Sequence, residues 1–214
     1  MDWDEVVEIM ERIGKERGAP VYSMDLKNSF EVLISAILST RTKDEQTIKA
    51  VKRLFSVVKK PEDLLRLSED EIDDLIKPVG FHRVKARNLK KIAKMIIERG
   101  NVPDKMEELM KLPGVGRKVA NIVLSYMGKD AIAVDTHVHR ISNRLGIVET
   151  ERPEETERKL KEIVPRHLWR RLNKAFVGFG QVMCKPLKPA CKECPFNSFC
   201  KYFNNLSMHR PYEI

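Results

Sequence analysis

Two groups of residues in this sequence carry side chains suited to chemistry. The first lies in residues 112–140, LPGVGRKVANIVLSYMGKDAIAVDTHVHR. Pro113 cannot continue a preceding helix, and Gly114 and Gly116 permit the φ > 0 conformations of a tight hairpin. A helix is predicted to start at Arg117, because Val119, Ile122, Val123 and Tyr126 recur at three- and four-residue intervals. Lys118 lies off that apolar stripe, in the first turn, where amide N–H groups have no intrahelical acceptor. Those amides can bind an anion, and in a basic chain a nucleic-acid phosphate suits them best. Gly114, Val115, Gly116 and Arg117 are therefore read as a phosphate clamp. Seventeen residues after Lys118 stands Asp135, at the head of another helix. An amine and a carboxylate thus bracket the clamp. On a plainer reading Lys118 is one more phosphate-binding lysine and Asp135 an N-cap, a role its place before Thr136, His137 and Val138 suits.

The second group is made of cysteines. The first 183 residues contain none, and then Cys184, Cys191, Cys194 and Cys200 arrive with the spacing C-x6-C-x2-C-x5-C. A reducing compartment disfavours disulfides, so four thiolates meeting at a metal centre is the leading reading. Zinc and iron–sulfur clusters both accept four cysteines. Structural zinc sites commonly use two short Cys-x2-4-Cys hooks. Here one such pair is joined by longer loops on each side, a spacing that favours a [4Fe–4S] cubane without excluding zinc. Lys185, Lys188 and Lys192 stand among the ligands, and a metal-fixed loop carrying lysines offers a second grip on phosphate.

The elements that position these groups are almost all helical in pattern. The 214 residues suffice for a substantial core in one compact unit or two small domains, and two lobes are expected. Forty Lys and Arg against 31 Asp and Glu give a formal charge of +9. That excess fits a polyanionic partner, or equally the solvated Lys/Glu surface of a heat-adapted protein. No run reaches the roughly 18 apolar residues of a membrane span, and the opening MDWDEVVEIM is too acidic for a secretory signal. An intracellular, reducing location is expected, in cytoplasm or nucleoid. Trp3, Val6, Met10 and Ile13 make an amphipathic opening helix. Phe30, Leu33, Ile34, Ile37 and Leu38 mark an apolar helix read as the centre of the core, ending in the polar run 39–44. Ser68 and Glu71 form a capping box. A long basic helix follows Gly80 and Phe81, with Leu89, Ile92, Ala93, Ile96 and Ile97 inside. Met106, Leu109 and Met110 mark a short helix before the hairpin. After Asp135 two or three further helices are predicted, carrying Ile141 and Leu145, then Leu160 and Ile163, then Leu172, Phe176 and Val177. No run of period-two strands is present.

The hairpin LPGVGRKVAN, the VDTHV segment and the cysteine spacing, in this order and separation, resemble the endonuclease III family of helix-hairpin-helix DNA glycosylases over nearly the whole chain. The resemblance implies an all-α, two-lobed architecture. A helical barrel over 24–132 would hold the helix-hairpin-helix at 103–127, and residues 1–23 with 133–214 would form the cluster domain, with DNA crossing the cleft between them. It implies a [4Fe–4S] cluster on the four cysteines, in a structural and DNA-positioning role, and a monomeric enzyme acting on double-stranded DNA with damaged bases or abasic sites. Oxidised pyrimidines would be flipped out of the duplex. Lys118 would attack C1′ to form a Schiff base that permits β-elimination, and Asp135 would stabilise the cationic sugar. Where the family commonly has glutamine, in the loop that fills the vacated space, this chain has Arg41. Arginine can bond the widowed base and phosphate, which leaves the opposite-base preference open. Phe81 aligns with the family's apolar wedge, and is read either as that wedge or as a core anchor after Gly80. His137 is read as shaping the cleft or contacting phosphate. The competing readings are a mismatch- or adenine-type glycosylase without strong lyase activity, which Lys118 argues against, and a non-enzymatic helix-hairpin-helix DNA-binding protein.

Overall fold

The computed structural model describes residues 2–208, with side chains given through 205. Every element among them is helical, and the described residues contain no strand. The chain divides into two compact units. The opening helix α1 (Trp3–Glu16) starts on Asp2, whose carboxylate accepts from the amides of Asp4 and Glu5, and it belongs with the C-terminal part of the chain.

The unit Ser23–Ala131 contains α2 (Ser29–Ser39), α3 (Asp44–Val57), α4 (Pro61–Arg66), α5 (Glu69–Ile76), α6 (His82–Arg99), α7 (Met106–Leu109) and α8 (Arg117–Tyr126). Its axis is α2. Every residue from Phe30 to Leu38 is buried, against α8, α3 and α6. A helix with so few polar residues can be stable only when enclosed in this way, and its one acid, Glu31, accepts from the Lys27 amide. Burial of a side chain such as Leu33 or Leu38 contributes about 1.5–3 kcal/mol. Ser68 and Glu71 make the expected capping box. The stripe of α6 is Ala86, Leu89, Ile92, Ala93 and Ile96, together with the buried Lys85. Ile97, expected inside, is 37% exposed. It sits at the edge of the stripe, one position past the row that continues from Leu89 through Ile92 and Ile96. Met110 is likewise exposed, because α7 ends at Leu109.

The other unit joins the described residues of Met1–Tyr22 to those of Ile132–Ile214 and contains α1, α9 (Thr136–Leu145), α10 (Pro153–Ile163), α11 (Trp169–Val182) and α12 (Lys201–Met208). Helix α11 is central, packed against α1 and α9 around Phe176 and Phe179. Tyr22 closes one end of the α1–α11 contact. A Cβ on Gly14 or Gly178 would lie 2.7 Å or 2.5 Å from its ring. A side chain at either place would have to push that ring aside. Two expectations change here. Ile163 is exposed at the end of α10, and a fourth helix after Asp135, α12, follows the last cysteine. Its apolar residues are Tyr202, Phe203, Leu206 and Met208, in a segment too short for a periodic pattern to stand out.

Candidate nucleic-acid interface and cysteine centre

The hairpin forms where its glycines require. Gly114 adopts φ 81, with the amide of Asn88 3.0 Å from where a Cβ would stand. Gly116 does not share that conformation: its φ is −100 and ψ 179, extended backbone open to any residue. Its value lies in what it omits. As N-cap of α8 it offers no side chain to the first-turn amides, and nothing lies within 4 Å of its missing Cβ. Backbone can be approached closely there, as a phosphate requires. Val115 is 7% exposed and part of the core, and its N–H donates to the Leu112 carbonyl at 3.1 Å. It closes the turn, so it anchors the clamp from beneath. Arg117 is exposed and Lys118 half-buried in the first turn of α8.

Asp135 is the N-cap of α9. Its Oδ1 accepts from the His137 amide at 2.9 Å and the Val138 amide at 3.0 Å. The apolar run before it is held by Asn173 of α11, whose Nδ2 donates to the Ala133 carbonyl at 2.9 Å. Both cap bonds fall on Oδ1, so capping fixes the carboxylate while Oδ2 lies outside the cap. His137, half-buried, has its Nδ1 3.1 Å from Arg140 Nη2, against Gly180 of α11, where a Cβ would come within 2.5 Å of that nitrogen.

Arg41 and Phe81 come together in the unit Ser23–Ala131. Both are non-glycine residues with positive φ, 51 and 58, and the Arg41 guanidinium lies 5.5 Å from the centre of the Phe81 ring. Phe81 is 60% exposed, which removes the core-anchor reading.

The four cysteines line one cavity, with Phe179, Met183 and Arg144 among its walls. Burial pushes the Cys194 thiol up to about 11 and raises that of Cys191. Thiolates here need a cation beside them, which a coordinated metal supplies. Among the described residues, no three metal-binding side chains converge on a single-ion position. Two arginines of α9, passed over in the sequence, hold the loop. Arg140 donates to the Cys184 carbonyl at 3.0 Å, and Arg144 to the carbonyls of Lys185 and Pro186 at 2.7 and 2.9 Å, with its Nη1 3.6 Å from Cys184 Sγ. Their four-residue spacing after Asp135 was the available signal. Lys185, Lys188 and Lys192 are exposed on the same loop.

Helices throughout the described residues, with an uncapped glycine hairpin ahead of a lysine, make the frame of a helix-hairpin-helix protein. Residues 34–166 match the family of HhH-GPD superfamily base excision DNA repair proteins. Endonuclease III of Thermotoga maritima is 51% identical over 178 residues, covering 81% of this chain and 83% of the relative. Two solved structures of endonuclease III are similar throughout. One is a non-covalent DNA complex, with 34% identity, a TM-score of 0.80 and coverage of 97% of this chain and 99% of that one. The other is a trapped covalent DNA intermediate with an estranged adenine, with 35% identity, a TM-score of 0.80 and coverage of 96% and 99%. The chain belongs to the endonuclease III family of this superfamily. None of its described helices is long and apolar enough to cross a membrane.

Proposed function

We infer that this protein is a base-excision DNA glycosylase with associated abasic-site lyase activity, acting on oxidised pyrimidines in duplex DNA as a monomer. Lys118 carries the reading. It stands in the first turn behind an uncapped hairpin, in a chain similar over 96% of its length to an enzyme trapped covalently on DNA. The hairpin amides and Arg117 hold backbone phosphate. The target nucleotide leaves the stack, because its C1′ is shielded within the duplex. The lone pair of the Lys118 amine bonds to C1′ as the glycosidic bond breaks and that bond's electron pair leaves with the base. Loss of a proton from nitrogen and opening of the sugar give a Schiff base. A proton then leaves C2′, and the 3′ phosphate is expelled. Asp135, held in orientation by its cap bonds, offers negative charge to the sugar as the base departs. Arg41 and Phe81 act at the space the base vacates. A chromosomal substrate places the enzyme at the nucleoid, in the cytoplasm.

Cys184, Cys191, Cys194 and Cys200 would hold a [4Fe–4S] cluster. Four thiols around one cavity, backed by Arg140 and Arg144, fit such a group. Bound there, it supplies a rigid fold for the loop, and the loop's own Lys185, Lys188 and Lys192 grip phosphate. The pure protein is expected to be brown, with iron–sulfur absorption, rather than colourless as with zinc. For the activity, a panel of lesion-bearing duplexes treated with and without borohydride is the test. Covalent trapping with an oxidised pyrimidine is expected, and Lys118→Gln should abolish trapping while largely keeping DNA binding. Unchanged strand cleavage by that variant would remove Lys118 from the chemistry.

A further inference from the structure

Lys85 is 6% exposed on α6, and no acidic group is among its hydrogen-bond partners. Its Nζ donates to the Leu38 carbonyl at 2.9 Å, the Thr40 carbonyl at 2.7 Å and the Thr42 hydroxyl at 3.2 Å. These acceptors belong to the C-terminus of α2 and the turn beyond it, where carbonyls lack intrahelical donors and carry the negative end of the helix dipole. Burial pushes the lysine down to about 8, so at neutral pH it retains all three donors. Two of its acceptors bracket Arg41 in sequence. The peptide is therefore gripped on both sides of the residue whose φ is left-handed.

The same lysine belongs to the turn of α6 that begins at Phe81, and its N–H donates to the Phe81 carbonyl at 3.0 Å. The two loops are tied once more at Gly80, whose N–H donates to the Thr42 hydroxyl at 3.1 Å. A Cβ on Gly80 would stand 2.6 Å from the Arg41 carbonyl oxygen, so the loops touch backbone to backbone. Left-handed conformations at arginine and phenylalanine persist only where the surroundings over-determine them. Here both side chains are exposed, so core packing does not account for holding them. A buried lysine is a costly way to cap a helix end unless the geometry it imposes is used.

We propose that Lys85 is a positioning residue that locks Arg41 and Phe81 into one preformed element, which enters the duplex at the extruded nucleotide and reads the base opposite. This rests on the glycosylase reading above. Preorganisation of such a pair removes an ordering cost at the moment the base leaves the stack.

The test measures single-turnover excision of one oxidised pyrimidine opposite each of the four bases, beside strand cleavage at a preformed abasic site. Lys85→Met is expected to slow excision roughly tenfold and to narrow the differences among opposite bases, while abasic-site cleavage changes by less than about twofold. In a background carrying both Arg41→Ala and Phe81→Ala, Lys85→Met should add no further loss, since it acts through those two residues. Equal loss in every assay, or a further multiplying loss in that background, would overturn the proposal. Should Lys85→Met fail to fold, Thr42→Val must show the same split at smaller size, and uniform behaviour counts against the proposal. Amide exchange at Arg41 and Thr42 should accelerate in either variant, and unchanged exchange would also overturn it. Wild-type protein that neither excises nor cleaves would sink the glycosylase reading instead, leaving the exchange measurement to decide the clamp.

Discussion

The hairpin at residues 112–117 and the loops bearing Arg41 and Phe81 both use left-handed backbone, and they reach it by opposite means. In the hairpin a glycine does it: Gly114 sits at φ 81 without a Cβ to object. In the paired loops arginine and phenylalanine adopt φ 51 and 58 because Lys85, Thr42 and Gly80 hold them there. The hairpin needs no side chain at its tip, because the proposed contact with phosphate is made by amides. The other element needs two large side chains at its tip, and so its conformation must be imposed from behind.

The largest effect is expected from pH. In the unfolded chain Lys85 titrates at 10.5 and in the folded chain at about 8. Between those values the unfolded state binds more protons, so the lysine's contribution to stability rises with pH. Relative to Lys85→Met, the wild type should gain stability from below pH 8 to above pH 10.5, by at most about 3 kcal/mol and by less where solvent screens the charge. Denaturant melts of both proteins across that range check it, and a flat difference would show that the three acceptors offset the desolvation of the ammonium.

Next comes Gly80→Ala, whose Cβ would press on the Arg41 carbonyl. A loss of about 1–3 kcal/mol is expected by thermal melting. Gly114→Ala should cost about 1–2 kcal/mol for its left-handed φ, and should weaken DNA binding in a titration. Arg41→Gly should do the reverse and stabilise by up to about 1 kcal/mol, since relief of strain exceeds the added freedom of the unfolded chain. Destabilisation there equal to that of Gly114→Ala would dissolve the distinction between the two regions.

The contrast also separates what the sequence made legible from what it did not. Helices α2, α5 and α8 could be read because periodicity, a capping box and a Pro-Gly turn are local signals. Asp135 as an N-cap was legible for the same reason. Gly116 was misjudged, because glycine can serve close approach as well as positive φ, and only the backbone distinguishes these uses. Ile97 and Ile163 were placed inside because a stripe's edge depends on neighbouring helices that sequence does not supply. Lys85 looked like one more charge on a basic helix. Its three acceptors lie more than forty positions earlier, so no local pattern could reveal them. Arg140 and Arg144 were hidden similarly, since their partners in the cysteine loop are about forty residues away. Residues that act through local backbone are readable in one dimension, while those that hold distant segments together are not.

The assignment of Lys118 as nucleophile is decided by reducing the protein–DNA adduct with borohydride, digesting it, and locating the sugar by mass spectrometry. One modified peptide is expected, spanning the hairpin and the first residues of α8, with the sugar on Lys118 Nζ. An adduct on another amine, the chain's N-terminus included, would contradict it.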